Sequence, residues 1–258
     1  MTGSRRVFVN TMVYKDALDA AGIVQANLVA EVRDLGAAGI EIRREYLASE
    51  PSARHEELLS IAGLAAAAGL EVYYSVPESL FVDGEASSLL AGYLAEAEAL
   101  GALSVKLNIG DPGDGVQDTA SLAEVLRAAS ARVTIENDQT ERNGRLDVVS
   151  ALLLDLQTRD VPIGYTFDAG NWLWAGVDPV VAARELGRYA TVFHLKDIDS
   201  LDGLHSVLLD EGEVDWRTVL GEIGNRVPVV LEYPIPDRAT AVSELAKVRR
   251  VLAEPTHD

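Results

Sequence analysis

The chain has 258 residues, 48% of them apolar, with no cysteine and a formal charge of −19 from 22 basic and 41 acidic side chains. Without cysteine there is no disulfide, no thiolate metal ligand and no cysteine nucleophile. A field of that sign repels the phosphate backbone of a nucleic acid, which is held by clustered Lys and Arg, and no apolar run reaches the roughly 18 to 20 residues that would span a bilayer. Neither a nucleic acid nor a membrane is therefore expected as a partner. The N-terminal "MTGSRRVFVNTMVYK" lacks a long apolar stretch followed by a small-residue cleavage site, so no signal peptide is expected and the composition fits a cytoplasmic protein.

In chain order the β-rich apolar runs are "RVFVN" from Arg6, "GIEIR" from Gly39, "LEVYYSV" from Leu70 and "LSVKLNIG" from Leu103. They continue with "RVTIE" from Arg132, "IGYTFD" from Ile163, "TVFHLKD" from Thr191 and "VPVVLEY" from Val227. Between them lie segments of helical character. "VQANLVAEVRDLGAAG" and "RHEELLSIAGLAAAAGL" run up to glycines, which stop helices. "EASSLLAGYLAEAEALGA", "TASLAEVLRAASAR", "RLDVVSALLLDLQTR", "DPVVAARELGRY", "VDWRTVLGEIG" and "RATAVSELAKVRRVL" follow. Strand and helix alternate with short joints and no Pro-, Gly- or Ser-rich linker, which implies parallel strands with helical crossovers. Eight such units predict an α/β chain folded as one (β/α)8 TIM barrel over residues 1–258. An open doubly wound sheet would ordinarily offer a glycine-rich turn after its first strand, and "VFVNTMVYKDAL" contains no G-x-G-x-x-G.

Chemistry in such a barrel sits at the C-terminal ends of the strands. Four consecutive runs end on a candidate metal ligand: Glu136 in "VTIEND", Asp168 in "YTFDAGN", His194 in "VFHLKD" and Glu232 in "VVLEYP". Adjacent strands are roughly 4.8 Å apart, so their last inward residues can meet around one ion. A single strand-end acid is ordinarily a helix cap or a solvated loop residue. Four in series, each after an apolar run, call for a shared cause, and crowded carboxylates repel or protonate unless a cation compensates them. Three carboxylates and one imidazole suit one hard or borderline divalent ion, Mn2+ first, with Mg2+, Co2+ and Zn2+ also admissible.

The order Glu136, Asp168, His194, Glu232 on the last four strands, with "HLKD" on the seventh, resembles the xylose isomerase-like barrels. More narrowly it is similar to the sugar phosphate isomerase/epimerase family, over nearly the whole chain, including "GIEIR" and the "DEGEVDW" stretch after the seventh run. The resemblance implies that these four residues bind the metal. It also implies that Glu136 and Glu232 double as an acid/base pair on opposite faces of a carbon beside a carbonyl, working through an enediolate. Two positions depart from the pattern. Asn171 stands where many members carry a histidine, and Ser200 where the ketose epimerases carry an arginine, both positions that ordinarily touch substrate or assist the base.

Further candidates follow from parity. Lys196 shares the inward side of His194 and would either contact a substrate oxygen or pair with a barrel acid. Lys106 and Asn108 share parity on the fourth run, where a structural ion pair is the readier reading for Lys106. Glu41 and Arg43 do so on the second, with Arg43 a candidate to hold an anionic or hydroxylated substrate. Trp172 and Trp174 would border the pocket, and Trp172 is the one expected to wall it. His205 lies in the loop after the seventh run, a surface histidine unless that loop covers the site; His55 and His257 have no support as ligands.

The expected activity is that of a metal-dependent isomerase or epimerase of a small sugar, sugar acid or keto-polyol. Its alternatives are a lyase or dehydratase that begins with the same proton abstraction, and a catalytically silent sugar-binding barrel. An abasic-site endonuclease would need more than four histidines and a basic face. No glycine-rich anion loop follows the last two runs, which favours an unphosphorylated substrate, and the resemblance admits a homo-oligomer.

Overall fold

Each apolar run becomes a strand. The computed structural model describes residues 6–20, 22–224 and 226–253. Its strands are β1 (Val7–Asn10), β2 (Gly39–Arg43), β3 (Glu71–Val82), β4 (Glu85–Ala86), β5 (Ser104–Gly110), β6 (Arg132–Glu136), β7 (Gly164–Asp168), β8 (Ala190–Leu195), β9 (Asp197–Asp199), β10 (His205–Val207) and β11 (Val229–Leu231). Eight of them, β1, β2, β3, β5, β6, β7, β8 and β11, pair in parallel in that order, and β11 returns to β1 through Val7↔Val229 and Val9↔Leu231. The sheet is a closed (β/α)8 TIM barrel, as the alternation predicts.

The helices are α1 (Lys15–Asp19), α2 (Gln25–Asp34), α3 (Pro51–Ala68), α4 (Leu90–Leu100), α5 (Thr119–Ala128), α6 (Leu146–Thr158), α7 (Ala169–Trp174), α8 (Pro179–Leu186), α9 (Trp216–Ile223) and α10 (Arg238–Ala253). Local chemistry sets their ends. Pro51 opens α3, where its missing N–H costs nothing, and Gly69 closes it at φ +69. Asp178 and Asp215 accept backbone N–H groups at the starts of α8 and α9. On α9 the buried residues Trp216, Val219, Leu220 and Ile223 recur at helical spacing and join the large apolar core. No helix among the described residues is long and apolar enough to cross a membrane.

Alternation along the strands divides the interior in two. Ile40, Ile42, Val105, Leu107, Val133, Ile135, Phe167 and Phe193 point outward into the large core beneath the helices. Burying each such side chain contributes about 1.5–3 kcal/mol relative to exposing it. The opposite parity faces the axis, where Phe8, Tyr73, Val192 and Val230 form a small apolar plug toward the N-terminal ends. Phe8 and Tyr73 stack with centroids 4.2 Å apart. The glycine of "GIEIR" makes room for them, since a Cβ on Gly39 would lie 2.2 Å from the Phe8 ring and 2.4 Å from the Glu71 carbonyl oxygen. Above the plug the axis turns polar, through the buried pair Thr134 and Thr166, whose hydroxyls are 2.8 Å apart, and then the carboxylates of the strand ends.

Two departures from the expected elements matter for the site. Strand β3 runs past the wall to Val82 and turns back into β4. The segment after β8, read as a loop, is a β-hairpin in which β9 and β10 pair antiparallel through His205↔Asp199 and Val207↔Asp197. A short hairpin needs only local pairing and a short connection, here the residues between Asp199 and His205 with the Gly203 N–H donating to the Ser200 carbonyl, so it leaves little apolar pattern to read.

One polar node outside the axis ties several units together. Glu96 on α4 accepts hydrogen bonds from Arg44 Nε at 2.8 Å, Arg54 Nε at 2.7 Å and Tyr74 Oη at 2.7 Å. Burial opposes its ionisation, but the Arg44 and Tyr74 hydrogen bonds and the two guanidiniums hold its carboxyl below the usual range. A depressed folded value means stability that is present above the ordinary glutamate range, about 4.3, and is lost as pH falls through the folded value. Glu96→Gln should therefore destabilise the protein by about 1–3 kcal/mol at pH 7. In urea melts the variant and parent should converge as pH drops below about 4. A gap that is independent of pH would show that charge at Glu96 is not what stabilises the node.

Candidate functional site

At the C-terminal mouth of the barrel opens a cavity of about 850 Å³, lined among others by Arg43, Lys106, Glu136, Asn171, Lys196, His205 and Glu232. Its floor is built from inward-facing strand ends. Glu136 and Asp168 are the last residues of β6 and β7, His194 is the penultimate residue of β8, and Glu232 directly follows β11. All four are buried, and one ligand atom from each lies within 4.8 Å of the other three. The Nδ1 atom of His194 sits between two carboxylates, 2.7 Å from Glu136 Oε1 and 2.9 Å from Glu232 Oε2. Asp168 reaches the group through Lys196, whose Nζ is 2.8 Å from Asp168 Oδ2 and 3.8 Å from Glu232 Oε2.

Cations brace the acids from the sides. Lys106 Nζ is 2.8 Å from Glu136 Oε2, and an Arg43 Nη1 hydrogen bond of 2.8 Å reaches Glu232 Oε1. Burial disfavours the charged form of every member, and the neighbours decide which ones keep it. Against burial, Lys106 and His194 hold Glu136 at about 2. Glu232, also against burial, is held well below the usual range by His194, Lys196 and Arg43. For Asp168 burial wins over Lys196 and pushes the carboxyl up to about 7. His194 is raised well above an ordinary imidazole, in spite of burial, by Glu232, Glu41 and Glu136. The cluster thus balances its own charge through protons and lysines.

The donor set fits a divalent cation. Glu136 Oε1 and Asp168 Oδ2 are buried without an aligned hydrogen-bond donor, although Nδ1 and Nζ lie beside them. Ligands on an ion with bonds of about 2.1 Å stand about 3 Å apart. The contacts around Nδ1 already have that spacing.

The remaining candidates fall in different places. Lys196, Lys106 and Arg43 line the cavity, each engaged with a floor carboxylate. Asn171 also lines it, but its side chain is engaged locally. Its Nδ2 donates to the Asn137 carbonyl at 2.9 Å and its Oδ1 accepts from Gln139 at 3.1 Å. Ser200 turns its hydroxyl to Glu213. His205 is carried by β10 to the rim, while His55 is exposed on α3 and His257 lies outside the described residues.

The expectation for Trp172 is corrected. It is wholly buried, 6.3 Å from the Phe167 ring, and Trp174 lines the cavity instead. The chain enters α7 at Asp168, which caps it by accepting the Asn171 N–H at 2.7 Å. Residues two apart on a helix point about 200° from one another, so the buried face takes Trp172 and the open face takes Trp174. Sequence reasoning also passed over Asn10 and gave Glu41 no role. Both are buried at the axis with Glu41 beside His194, and the available signal was their shared inward parity with Phe8 and Arg43.

No family model and no curated protein matches the chain. Solved structures do. An L-ribulose 3-epimerase superposes with a TM-score of 0.70 at 18% identity, covering 96% of this chain and 94% of that one. D-allulose 3-epimerase from Methylomonas sp., in complex with D-allulose, gives 0.69 at 15%, over 96% and 98%. The probable 3-DHS dehydratase AsbF, involved in petrobactin synthesis in Bacillus anthracis, gives 0.69 at 14%, over 97% and 100%. The chain has the fold of the xylose isomerase-like TIM barrels. That likeness spans essentially the full length of this barrel and of these three proteins, and at such low identity it concerns the fold; the chemistry rests on the site itself.

Proposed function

We propose that this xylose isomerase-like barrel is a divalent-metal-dependent isomerase or epimerase acting on a small, unphosphorylated sugar, sugar acid or keto-polyol. The observation that carries the reading is the convergence of Glu136, Asp168, His194 and Glu232 on one point at the floor of an open cavity. When bound there, Mn2+, or Mg2+, Co2+ or Zn2+ in its place, would polarise a substrate carbonyl and make the adjoining C–H acidic. Glu136 and Glu232 are the two floor carboxylates that also line the cavity, so each is within reach of a substrate proton. One removes the proton and the other returns it. Lys106 and Arg43 hold these carboxylates in place and ionised. Lys196, at the cavity wall, can donate a hydrogen bond to the oxygen on which negative charge develops. The L-ribulose and D-allulose 3-epimerases among its structural neighbours are in keeping with this chemistry.

A second reading, a lyase that follows the same abstraction with β-elimination, is favoured by two residues. Asn171 and Ser200 replace the histidine and arginine that the epimerase pattern implies, and Ser200 is turned away to Glu213. The dehydratase among the neighbours supports it too.

Two measurements separate these readings. Titration of the metal-free protein with Mn2+, Mg2+, Co2+ and Zn2+ should show about one equivalent bound. Proton NMR in D2O with a panel of ketoses and keto-acids should then show deuterium entering beside the carbonyl. An epimerised product with no new ultraviolet absorbance identifies the isomerase, whereas an absorbing unsaturated product identifies the lyase. No binding of any of the four ions would sink both and leave a silent sugar-binding barrel.

A further inference from the structure

We infer that Glu41, on β2, is a positioning residue that fixes which nitrogen of His194 faces the metal-ligand cluster. The inference rests on the metal reading proposed above. Glu41 is 1% exposed and belongs to a strand that contributes nothing to the quartet. Its carboxylate lies on the far side of the imidazole from the other acids, with Oε2 3.1 Å and Oε1 3.3 Å from His194 Nε2. The near side, Nδ1, is the one between Glu136 and Glu232. An imidazole that binds a cation through one nitrogen carries its single proton on the other, and that proton needs an acceptor. Glu41 supplies one, so that Nε2–H donates to it and the Nδ1 lone pair is left aimed at the cluster.

The second half of the device holds Glu41 itself. Asn10, at the end of β1 and wholly buried, donates through Nδ2 to Glu41 Oε2 and, at 3.2 Å, to Glu232 Oε1. Its own Oδ1 is anchored by the Met12 N–H at 2.8 Å. Asn10 and Glu41 are paired in the β1–β2 register, so the first two strands present both side chains to the axis at one level. The barrel therefore encloses the imidazole from four strands. β8 carries it, β6 and the residue after β11 supply carboxylates to Nδ1, and β2 supplies one to Nε2. A negative charge behind the ring also raises the donor strength of the nitrogen in front.

The test compares the wild type with Glu41→Leu and Glu41→Gln, first melting each metal-free protein to establish that it is folded. Calorimetric titration with Zn2+ and Mn2+ should show affinity falling about 10- to 100-fold in Glu41→Leu. The loss should be smaller in Glu41→Gln, which keeps an acceptor for Nε2–H and gives up the charge. Nitrogen-15 NMR of the Zn2+-loaded wild type should show His194 protonated at Nε2 and bound through Nδ1, and Glu41→Leu should lose that single tautomer. If Glu41→Leu does not fold, Glu41→Gln decides through its affinity. Wild-type binding with unchanged affinity in a folded variant, or zinc bound through Nε2, overturns the inference and leaves the metal site standing. A wild type that binds neither ion overturns the metal reading and the inference with it.

Discussion

Glu232→Gln is expected to lower kcat by about 10²- to 10⁴-fold, the range that a positioned acid–base group supplies. A 10³-fold loss corresponds to about 4 kcal/mol of transition-state stabilisation. The substitution preserves the shape of a side chain buried among Arg43 Nη1 at 2.8 Å, His194 Nδ1 at 2.9 Å and Asn10 Nδ2 at 3.2 Å. What it removes is the charge that can bind a cation and accept a proton. Metal affinity should fall together with turnover, because the proposed mechanism gives the same carboxylate both tasks. Elemental analysis of the purified variant, beside kcat and KM on whichever panel compound exchanges deuterium, separates the two losses. In the metal-free protein an amide would also leave Arg43 and His194 short of a counter-charge, so a lowered melting temperature is expected there as well. Full metal occupancy with turnover within tenfold of the parent would remove Glu232 from the mechanism.

Asp197→Ala should be strongly destabilising although it lies outside the cluster of Glu136, Asp168, His194 and Glu232. Asp197 is wholly buried at the start of β9, and its carboxylate gathers four backbone N–H groups. Oδ1 accepts from Ile198 and Val214, each at 2.9 Å, and Oδ2 from Asp210 at 3.1 Å and Gly212 at 3.0 Å. The aspartate thus stitches the "DEGEVDW" turn beneath the β9–β10 hairpin. Gly212 is part of the same fit, since a Cβ there would lie 2.4 Å from Asp197 Oδ1. Truncation leaves those amides without an acceptor, and a buried unsatisfied group costs about 1–3 kcal/mol. A total of about 3–5 kcal/mol is expected once water reaches some of them, or roughly 6–20 °C in Tm for a chain of this size. Because the hairpin carries Leu204, His205 and Ser206 to the cavity rim, KM should rise more than metal affinity falls. A variant that melts within about 2 °C of its parent, well below that range, would show the four hydrogen bonds to be dispensable.

The legible part of this protein followed the two periodicities of the backbone. Each of the eight runs marked from the sequence became a barrel strand, because a parallel strand buried on both faces must be nearly continuous in apolar residues. A polar residue that interrupts such a run is conspicuous, which is why Glu136, Asp168, His194 and Glu232 stand out together; inward parity at the ends of adjacent strands brings them within 4.8 Å. The pairings of Lys106 and Lys196 with the acids also accord with inward parity, although the choice of partner, Glu136 for one and Asp168 for the other, was not open to sequence.

What composition and alternation determined was the class, the strand order and the level along each strand at which the site lies, since all three depend on spacing within single segments. What only the tertiary structure decided was lateral. It placed Glu41 behind His194, set Asn10 between Glu41 and Glu232, buried Trp172 while Trp174 took the pocket wall, and brought a hairpin with His205 to the rim. The contacts among Asn10, Glu41, His194 and Glu232 join segments from about 30 to more than 200 residues apart in the chain, set by the stagger of strands around a closed barrel. A one-dimensional pattern carries the direction in which each side chain points, but the partner it meets is chosen by closure.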